Sequence, residues 1–365
     1  AIFWMWISAI LGVTTKYFTC TLAVMYRGRD SNGELQGGPM YVITEGLGKN
    51  WKPLAIFFSL LGMIGVLPMF QVNQLTQIVR DVVLIPNSVQ AGFTSNLISG
   101  LIVAFLVGIV IFGGIKRIGK VTGRMVPIMV VLYVLAVLFI IFSNTDQILP
   151  SFGLIFRDAF TAQSVLGGSV GALIITGVRR AAFSNEAGIG TAPMAHGAAK
   201  TNEPVREGLV AMLGPVVDTI IVCTMTALAL IMTGVWDAGE SDGITLTADA
   251  FEQAMPGIGS YLLTICVVVF SVSTMLSFPY YGTKCYSFIF GAMSSKLYKW
   301  FYIITIPVGA TITLQTVVGI FDGAYALMAF PTMISALLLS PAVVRASKDY
   351  FRRLNEKRPK ESKPD

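Results

Sequence analysis

The sequence predicts an all-α integral membrane protein, and three observations predict it. Only 13% of its 365 residues are charged and 54% are apolar, with a mean hydropathy of +0.72. A soluble domain carries about 25% charged residues. The apolar residues gather into nine stretches, roughly 1–26, 53–79, 97–115, 123–143, 165–180, 207–236, 255–283, 297–318 and 321–344, and crossing a bilayer core takes about 20 residues of helix. Finally, the basic residues alternate from loop to loop.

The first stretch opens at once with Ala1-Ile2-Phe3-Trp4-Met5-Trp6 and shows no basic leader or cleavage site, so it reads as a membrane helix, not a signal peptide. The segments 26–52, 116–124, 179–206, 284–299 and the tail after 344 carry 4, 4, 4, 3 and 8 Lys or Arg. The opposite loops carry Arg80 and Arg157 alone, and 237–252 holds five acids and no base. Bases on every second loop place those loops in the cytoplasm. Residue 1 is then outside, and the C-terminus and its polar tail, 346–365, are cytoplasmic. An odd span count that starts outside calls for a further helix before residue 1.

Several functions are excluded by composition. The pI near 9.1 comes from short loops and a tail, a pattern of topology and not of a nucleic-acid face. Cys20, Cys223, Cys266 and Cys285 lie in or beside apolar stretches without metal-ligand spacing and read as small core residues. His196 is the only histidine, so a metal centre or a nucleophile relay lacks its parts. The chain is not expected to be an enzyme or to hold an organic cofactor.

Polar residues inside spans are costly unless something uses them. The fifth stretch is short and rich in glycine (Gly167, Gly168, Gly171), which suggests an unwound, interrupted helix of the kind that binds substrate or ion; close helix packing through small residues is the other reading. The run from Phe183 to Pro193 follows it, with Asn185, Glu186, Gly188 and Gly190 beside the membrane. Glu186 is placed to pair with Arg179 or Arg180 and latch an inner gate; a solvated loop carboxylate is the bland alternative. Asn202-Glu203-Pro204 reads as a helix start capped by Asn202. Gln71, Asn73 and Gln74 put three amides in four residues of the second span. Of these, Gln71 is the candidate to face substrate, and the other two suit interhelical bonding. Asp218 is the carboxylate well inside a span, a coupling group or a structural anchor. Ser273 and Thr274 are adjacent hydroxyls in an apolar span. They suit a hard cation, or bond back to a carbonyl one turn earlier.

The run Phe183-Ser184-Asn185-Glu186-Ala187-Gly188-Ile189-Gly190, then Ala192-Pro193-Met194-Ala195-His196, resembles the sodium:alanine/glycine symporter family. Gly37-Gly38-Pro39-Met40-Tyr41, Pro204–Val210, Asp218–Thr224, Ser273-Thr274 and Tyr280-Tyr281-Gly282 continue the resemblance along the whole chain.

The resemblance implies an inverted-repeat, leucine-transporter-like fold with two five-helix repeats, the first helix of each broken at the binding site. Residues 1–143 would be the first repeat with four helices, lacking its first core helix. Residues 144–345 would be the second, with its broken helix at 165–180. The implied activity is sodium-coupled symport of alanine, glycine or another small neutral amino acid by alternating access across the plasma or bacterial inner membrane. Gly167, Gly168 and Ser169 would line the substrate site together with Gln71 and Phe278, and Ser273 and Thr274 would complete a sodium site. Many family members carry Trp and a small residue where Phe278 and Pro279 stand, a departure that bears on pocket size. Asn185, Glu186 and Asp218 would serve gating or coupling. A proton-coupled carrier or a channel for small neutral solutes is the alternative. A channel needs polar rings along a continuous pore, whereas polar residues here gather at one depth. The partners are a small neutral amino acid, Na+ and lipid, without nucleic acid. The oligomeric state stays open, and a monomer is compatible with the pattern.

Overall fold

A computed structural model describes residues 1–160, 169–237 and 242–357. Among them the chain is almost wholly helical: α1 (Ile2–Met25), α2 (Lys52–Gly65), α3 (Met69–Ile78), α4 (Phe93–Phe112), α5 (Ile115–Ser143), α6 (Ile148–Ala159), α7 (Ser169–Asn185), α8 (Thr191–His196), α9 (Pro204–Ala211), α10 (Thr224–Thr233), α11 (Gly243–Ala254), α12 (Gly259–Phe290), α13 (Ser295–Thr311) and α14 (Leu314–Lys357). A two-stranded hairpin follows α1, with Gly28–Arg29 (β1) antiparallel to Leu35–Gln36 (β2).

Seven helical segments of the described residues are long and apolar enough to cross a membrane: Ile2–Met25, Lys49–Leu84, Phe93–Phe112, Arg117–Ser143, Pro204–Thr233, Gly259–Phe290 and Leu314–Glu356. This is a multi-pass membrane protein. The sequence predicts nine spans. The remaining two coincide with α7 and α13, helices of 17 residues each.

The outer surface agrees with a lipid environment. On α4, Phe93, Leu101, Ile102, Phe105 and Leu106 all stand more than half exposed, an apolar face that water would penalise. Lipid is as apolar as leucine, so helices associate by close packing and polar links between them. Asn73 supplies one such link, donating from Nδ2 to the carbonyls of Gly309 at 3.2 Å and Ile312 at 2.8 Å and tying α3 to α13. Gly309 allows the approach: a Cβ there would sit 2.6 Å from the Cα of Met69. Tyr302, fully buried, donates to the carbonyl of Met275 at 3.0 Å and ties α13 to α12. Cys20, Cys266 and Cys285 are buried and Cys223 is half-buried, all as free thiols.

Three predicted details shift. The helix expected after Asn202 begins one residue later, with Glu203 at the cap position and Pro204 in the first turn. Its continuation runs π-helically over Val216–Cys223, an arrangement common at functional sites. Arg179 and Arg180, counted above with an inner loop, lie inside α7, because that helix continues to Asn185.

Candidate functional site

A break between two helices organises the centre of the protein. The helix α7 runs regularly through Gly171 and ends at Asn185, and α8 starts at Thr191. Between them Glu186 has φ +54°, Gly188 +82° and Gly190 +114°. Glycine takes the left-handed region freely, but glutamate there is strained, and such strain concentrates at functional sites. The break lies level with the middle of α1. A Cβ on Gly12 would sit 3.1 Å from the Cβ of Ala187 and 3.5 Å from the amide of Asn185, and one on Gly188 would sit 3.5 Å from Thr15. By the same measure Gly177 packs on Trp4 and Met5, near the start of α1. The break therefore sits half-way along the bundle. The half-helix α7 stands on the side of residue 1, and α8 on the other side.

Polar bonds fix this unwound turn. Asn185 is buried, donates from Nδ2 to Thr219 Oγ1 at 3.2 Å, and accepts from the Ala187 amide at 2.9 Å. Ser184 shares a 3.0 Å bond with the same Thr219 hydroxyl. Thr191 donates to the Glu186 carboxylate, and Thr332 on α14 donates to the carbonyl of Ile189 at 3.2 Å. The buried ammonium of Lys16 and the rings of Tyr281 and Tyr325 lie within electrostatic reach of Glu186. The expected pairing of Glu186 with Arg179 or Arg180 does not occur among the described residues. Those bases are six and seven residues back along a continuous helix, about 9 Å or more up its axis. Arg179 instead meets Asp322 of α14, N to O at 3.8 Å.

On the side of residue 1 the break is covered by aromatic rings. Phe183 stands 4.8 Å from Phe70, 5.8 Å from Tyr325 and 6.5 Å from Phe321, centroid to centroid. Above this layer lies a cavity of about 200 Å³ whose lining includes Arg179, Arg180 and Asp322. On the far side, two cations hold the end of α8. Lys284 donates to the carbonyl of Met194 at 3.1 Å. Arg27 donates to those of Ala199 at 2.6 Å, Gly197 at 2.7 Å and Thr201 at 2.8 Å. Helix ends leave carbonyls unpaired, and cations there are favourable.

The predicted site residues are distributed as follows. Asn185 and Glu186 are at the break itself. Gln71 is buried on α3, next to Phe70 of the aromatic layer, and its Oε1 has no hydrogen-bond partner among the described residues. Gln74, one turn on, accepts from the Ile244 amide of α11 at 3.1 Å. Ser273 and Thr274 both donate to the carbonyl of Phe270 at 2.9 Å, which leaves their oxygen lone pairs available. Phe278 is buried on the same helix with its ring 6.1 Å from that of Tyr281. Asp218 is exposed on the π-helical turn, whereas its neighbour Thr219 points inward. Gly167 and Gly168 lie outside the described residues, as does the side chain of Ser169. Sequence reasoning missed Thr219, Lys284, Phe183 as a ring of the covering layer, and Asp322, a second carboxylate within a span. Asp322 could have been found as a lone acid in the apolar run Ile320–Ala326.

Residues 1–364 match the sodium:alanine symporter family. An uncharacterised transporter of Haemophilus influenzae is 42% identical over 361 residues, covering 97% of this chain and 77% of that protein. The sodium/alanine symporter AgcS of Methanococcus maripaludis is 41% identical over 372 residues, covering 100% and 79%. A probable sodium/glutamine symporter of Bacillus subtilis, GlnT, is 34% identical over 360 residues, covering 96% and 72%. Together with the spans and the mid-bundle break, these matches show that this chain belongs to the sodium:alanine symporter family.

Proposed function

We propose that the protein carries a small neutral amino acid, alanine or glycine, together with Na+ into the cell by alternating access, and that the substrate binds at the Asn185–Gly190 break. The observation that carries this reading is the unwound turn half-way along the bundle. The Glu186 amide closes the last turn of α7 on the Ala182 carbonyl at 2.9 Å. Beyond it the backbone from Ala187 to Gly190 belongs to no helix and presents both amides and carbonyls, and a zwitterion needs both kinds of group. Irregular backbone at membrane depth is tolerated where it serves a site. Gln71 adds a buried carbonyl oxygen in search of a donor, which an ammonium group supplies. In this reading Phe278, its ring 6.1 Å from that of Tyr281, bounds the pocket from α12. Close packing supports a small substrate: a Cβ on Gly190 would sit 2.5 Å from the Phe58 ring.

In this reading Ser273 and Thr274 present their lone pairs to Na+, a hard cation that prefers oxygen. The Phe70–Phe183 layer and the Arg179–Asp322 pair form the outer barrier, and the Arg27 and Lys284 contacts form the inner one. Opening one barrier while the other holds is alternating access. The charge asymmetry of the loops supports a cytoplasmic C-terminus, although Arg179 and Arg180 no longer count toward it. The alanine named for AgcS and the glutamine named for GlnT mark the substrate class within which the pocket selects.

Uptake of labelled alanine and glycine by the full-length protein in proteoliposomes, with and without an inward sodium gradient, tests the proposal. Sodium-dependent accumulation and substrate-accelerated exchange are expected. Absence of sodium-dependent uptake for every small neutral amino acid refutes it, and flux without accelerated exchange indicates a channel.

A further inference from the structure

The last helix is longer than a membrane requires. Its 44 residues, with prolines at 331 and 341, have a contour of about 66 Å, twice the roughly 30 Å hydrocarbon core. Its last turns reach Glu203, which lies just outside an apolar span, through Arg353. A groove of about 1020 Å³ opens beside those turns, between α14, α1 and α9. Its floor is apolar, with Phe18 from α1, Leu209 from α9, Met212 just after it, and Phe351 from α14. Its rim is basic, with Lys348 and Arg352 on α14.

The spacing of these residues sets the geometry. Val344, Lys348 and Arg352 recur every four residues, and Phe351 falls on the same face. That face passes from apolar to cationic in one turn, as a helix does where it crosses from acyl chains to headgroups. Tyr17 bonds Ser347 across the floor, and Arg353 holds Glu203 at 3.0 and 3.1 Å from the opposite flank, so both walls are fixed. Lys348 has no ion pair among the described residues. Arg352 meets only Asp349 of its own helix, through an exposed bond at 2.6 Å of the kind that contributes little. Two cations above an apolar trough complement one phosphate carrying an acyl chain, and basic pockets between membrane helices recognise such lipids.

We propose that this groove binds one anionic phospholipid, its phosphate between Lys348 and Arg352 and an acyl chain against Phe18, Leu209 and Met212. On the orientation proposed above, the lipid comes from the cytoplasmic leaflet. The single acid on the rim, Glu356, lies one turn beyond Arg352 and limits the phosphate to the Lys348–Arg352 turn.

The test is lipid retention by the full-length protein. Purified protein is delipidated, titrated with phosphatidylglycerol or phosphatidylcholine of identical chains, and examined by native mass spectrometry. One phosphatidylglycerol per protomer is expected, preferred at least tenfold. The preference should vanish in Lys348→Gln/Arg352→Gln and persist in Lys296→Gln/Lys299→Gln, which removes two cations outside the groove. Leu209→Trp, which fills the trough, should weaken both lipids. Equal retention of the two lipids by the wild type overturns the proposal, and this comparison needs no variant to fold. So does an unchanged preference in the double variant. Cross-linking of Phe351→Cys to a second copy likewise overturns it.

Discussion

Lys284 on α12 donates from its Nζ to the carbonyl of Met194 on α8 at 3.1 Å, and the same ammonium stands 4.5 Å from the centre of the Tyr280 ring. The neighbouring Cys285 is fully buried and touches the Met194 sulfur at 3.7 Å. One side chain thus holds α8 against α12, with a buried thiol beside it. Lys284→Met keeps the volume and removes the bond. Hydrogen bonds to charged groups contribute about 1.5–3 kcal/mol, so separation of α8 from α12 should become about ten to a hundred times more frequent. Labelling of Cys285 by a small maleimide, read on the Cys285 peptide, should speed up accordingly. An unchanged rate would show that this contact does not hold α8 against α12.

Backbone conformation predicts a second effect. Gly190 combines φ +114° with close neighbours, since a Cβ would lie 2.5 Å from the Phe58 ring and 2.8 Å from Pro39. The left-handed conformation alone costs a side-chain-bearing residue about 1–2 kcal/mol, and the buried ring has nowhere to go. Gly190→Ala should lower the thermal stability of the purified protein markedly. Gly171 lies in α7 with open space around its Cβ position, so Gly171→Ala should leave stability equal or raise it by up to about 1 kcal/mol. Equal behaviour of the two variants would mean that the break tolerates ordinary backbone.

Much of this was legible in the sequence, and the misplacements have physical reasons. Gln71, Asn73 and Gln74 announced themselves because amides in an apolar span need partners, and two of the three found them. Gly171 drew attention as a helix breaker, yet its propensity cost of about 1 kcal/mol is small against the contacts of a packed helix, and α7 passes through it. Arg179 and Arg180 looked like a membrane boundary because the partner of Arg179, Asp322, is far away in sequence. The break at Glu186 was hidden because a left-handed glutamate has no local signature; only the glycines at 188 and 190 hinted at it. The motif was thus legible as polar and special, but its depth depends on packing against Gly12 and Thr15 of α1, which no local pattern encodes.

The turn joining α11 to α12 supplies a pH test. Glu252 accepts from the Gly257 amide and from the amide and hydroxyl of Ser260, the latter two at 3.1 and 2.7 Å. These bonds hold its carboxyl below the usual carboxylate range. A lowered folded value means that the contribution is complete above the unfolded pKa and is lost as pH falls through the folded one. Glu252→Gln should therefore speed amide exchange at Gly257 and Ser260 at neutral pH, with the difference from wild type closing only in strongly acidic buffer. A difference that already disappears between pH 7 and pH 6 would rule out this carboxylate as its source.

Glu186 joins the chemistry of the break to its charge. Its carboxylate accepts from Thr191 across the unwound turn, with Lys16 and Tyr281 in electrostatic reach. Glu186→Gln retains an acceptor for Thr191 and nearly the same shape, so the turn should still form and the protein should still reach the membrane. What disappears is the one group of the break able to carry a negative charge at mid-bundle, within reach of Lys16 and of a bound cation. Charges act strongly at such depth because little solvent screens them. Sodium-dependent uptake should therefore fall by about tenfold or more, which corresponds to only about 1.4 kcal/mol. Glu186→Ala, which also removes the acceptor, should reduce the amount of folded protein as well. The comparison separates charge from scaffold: if Glu186→Gln transports at the wild-type rate while Glu186→Ala is lost from the membrane, the residue serves only to close the turn.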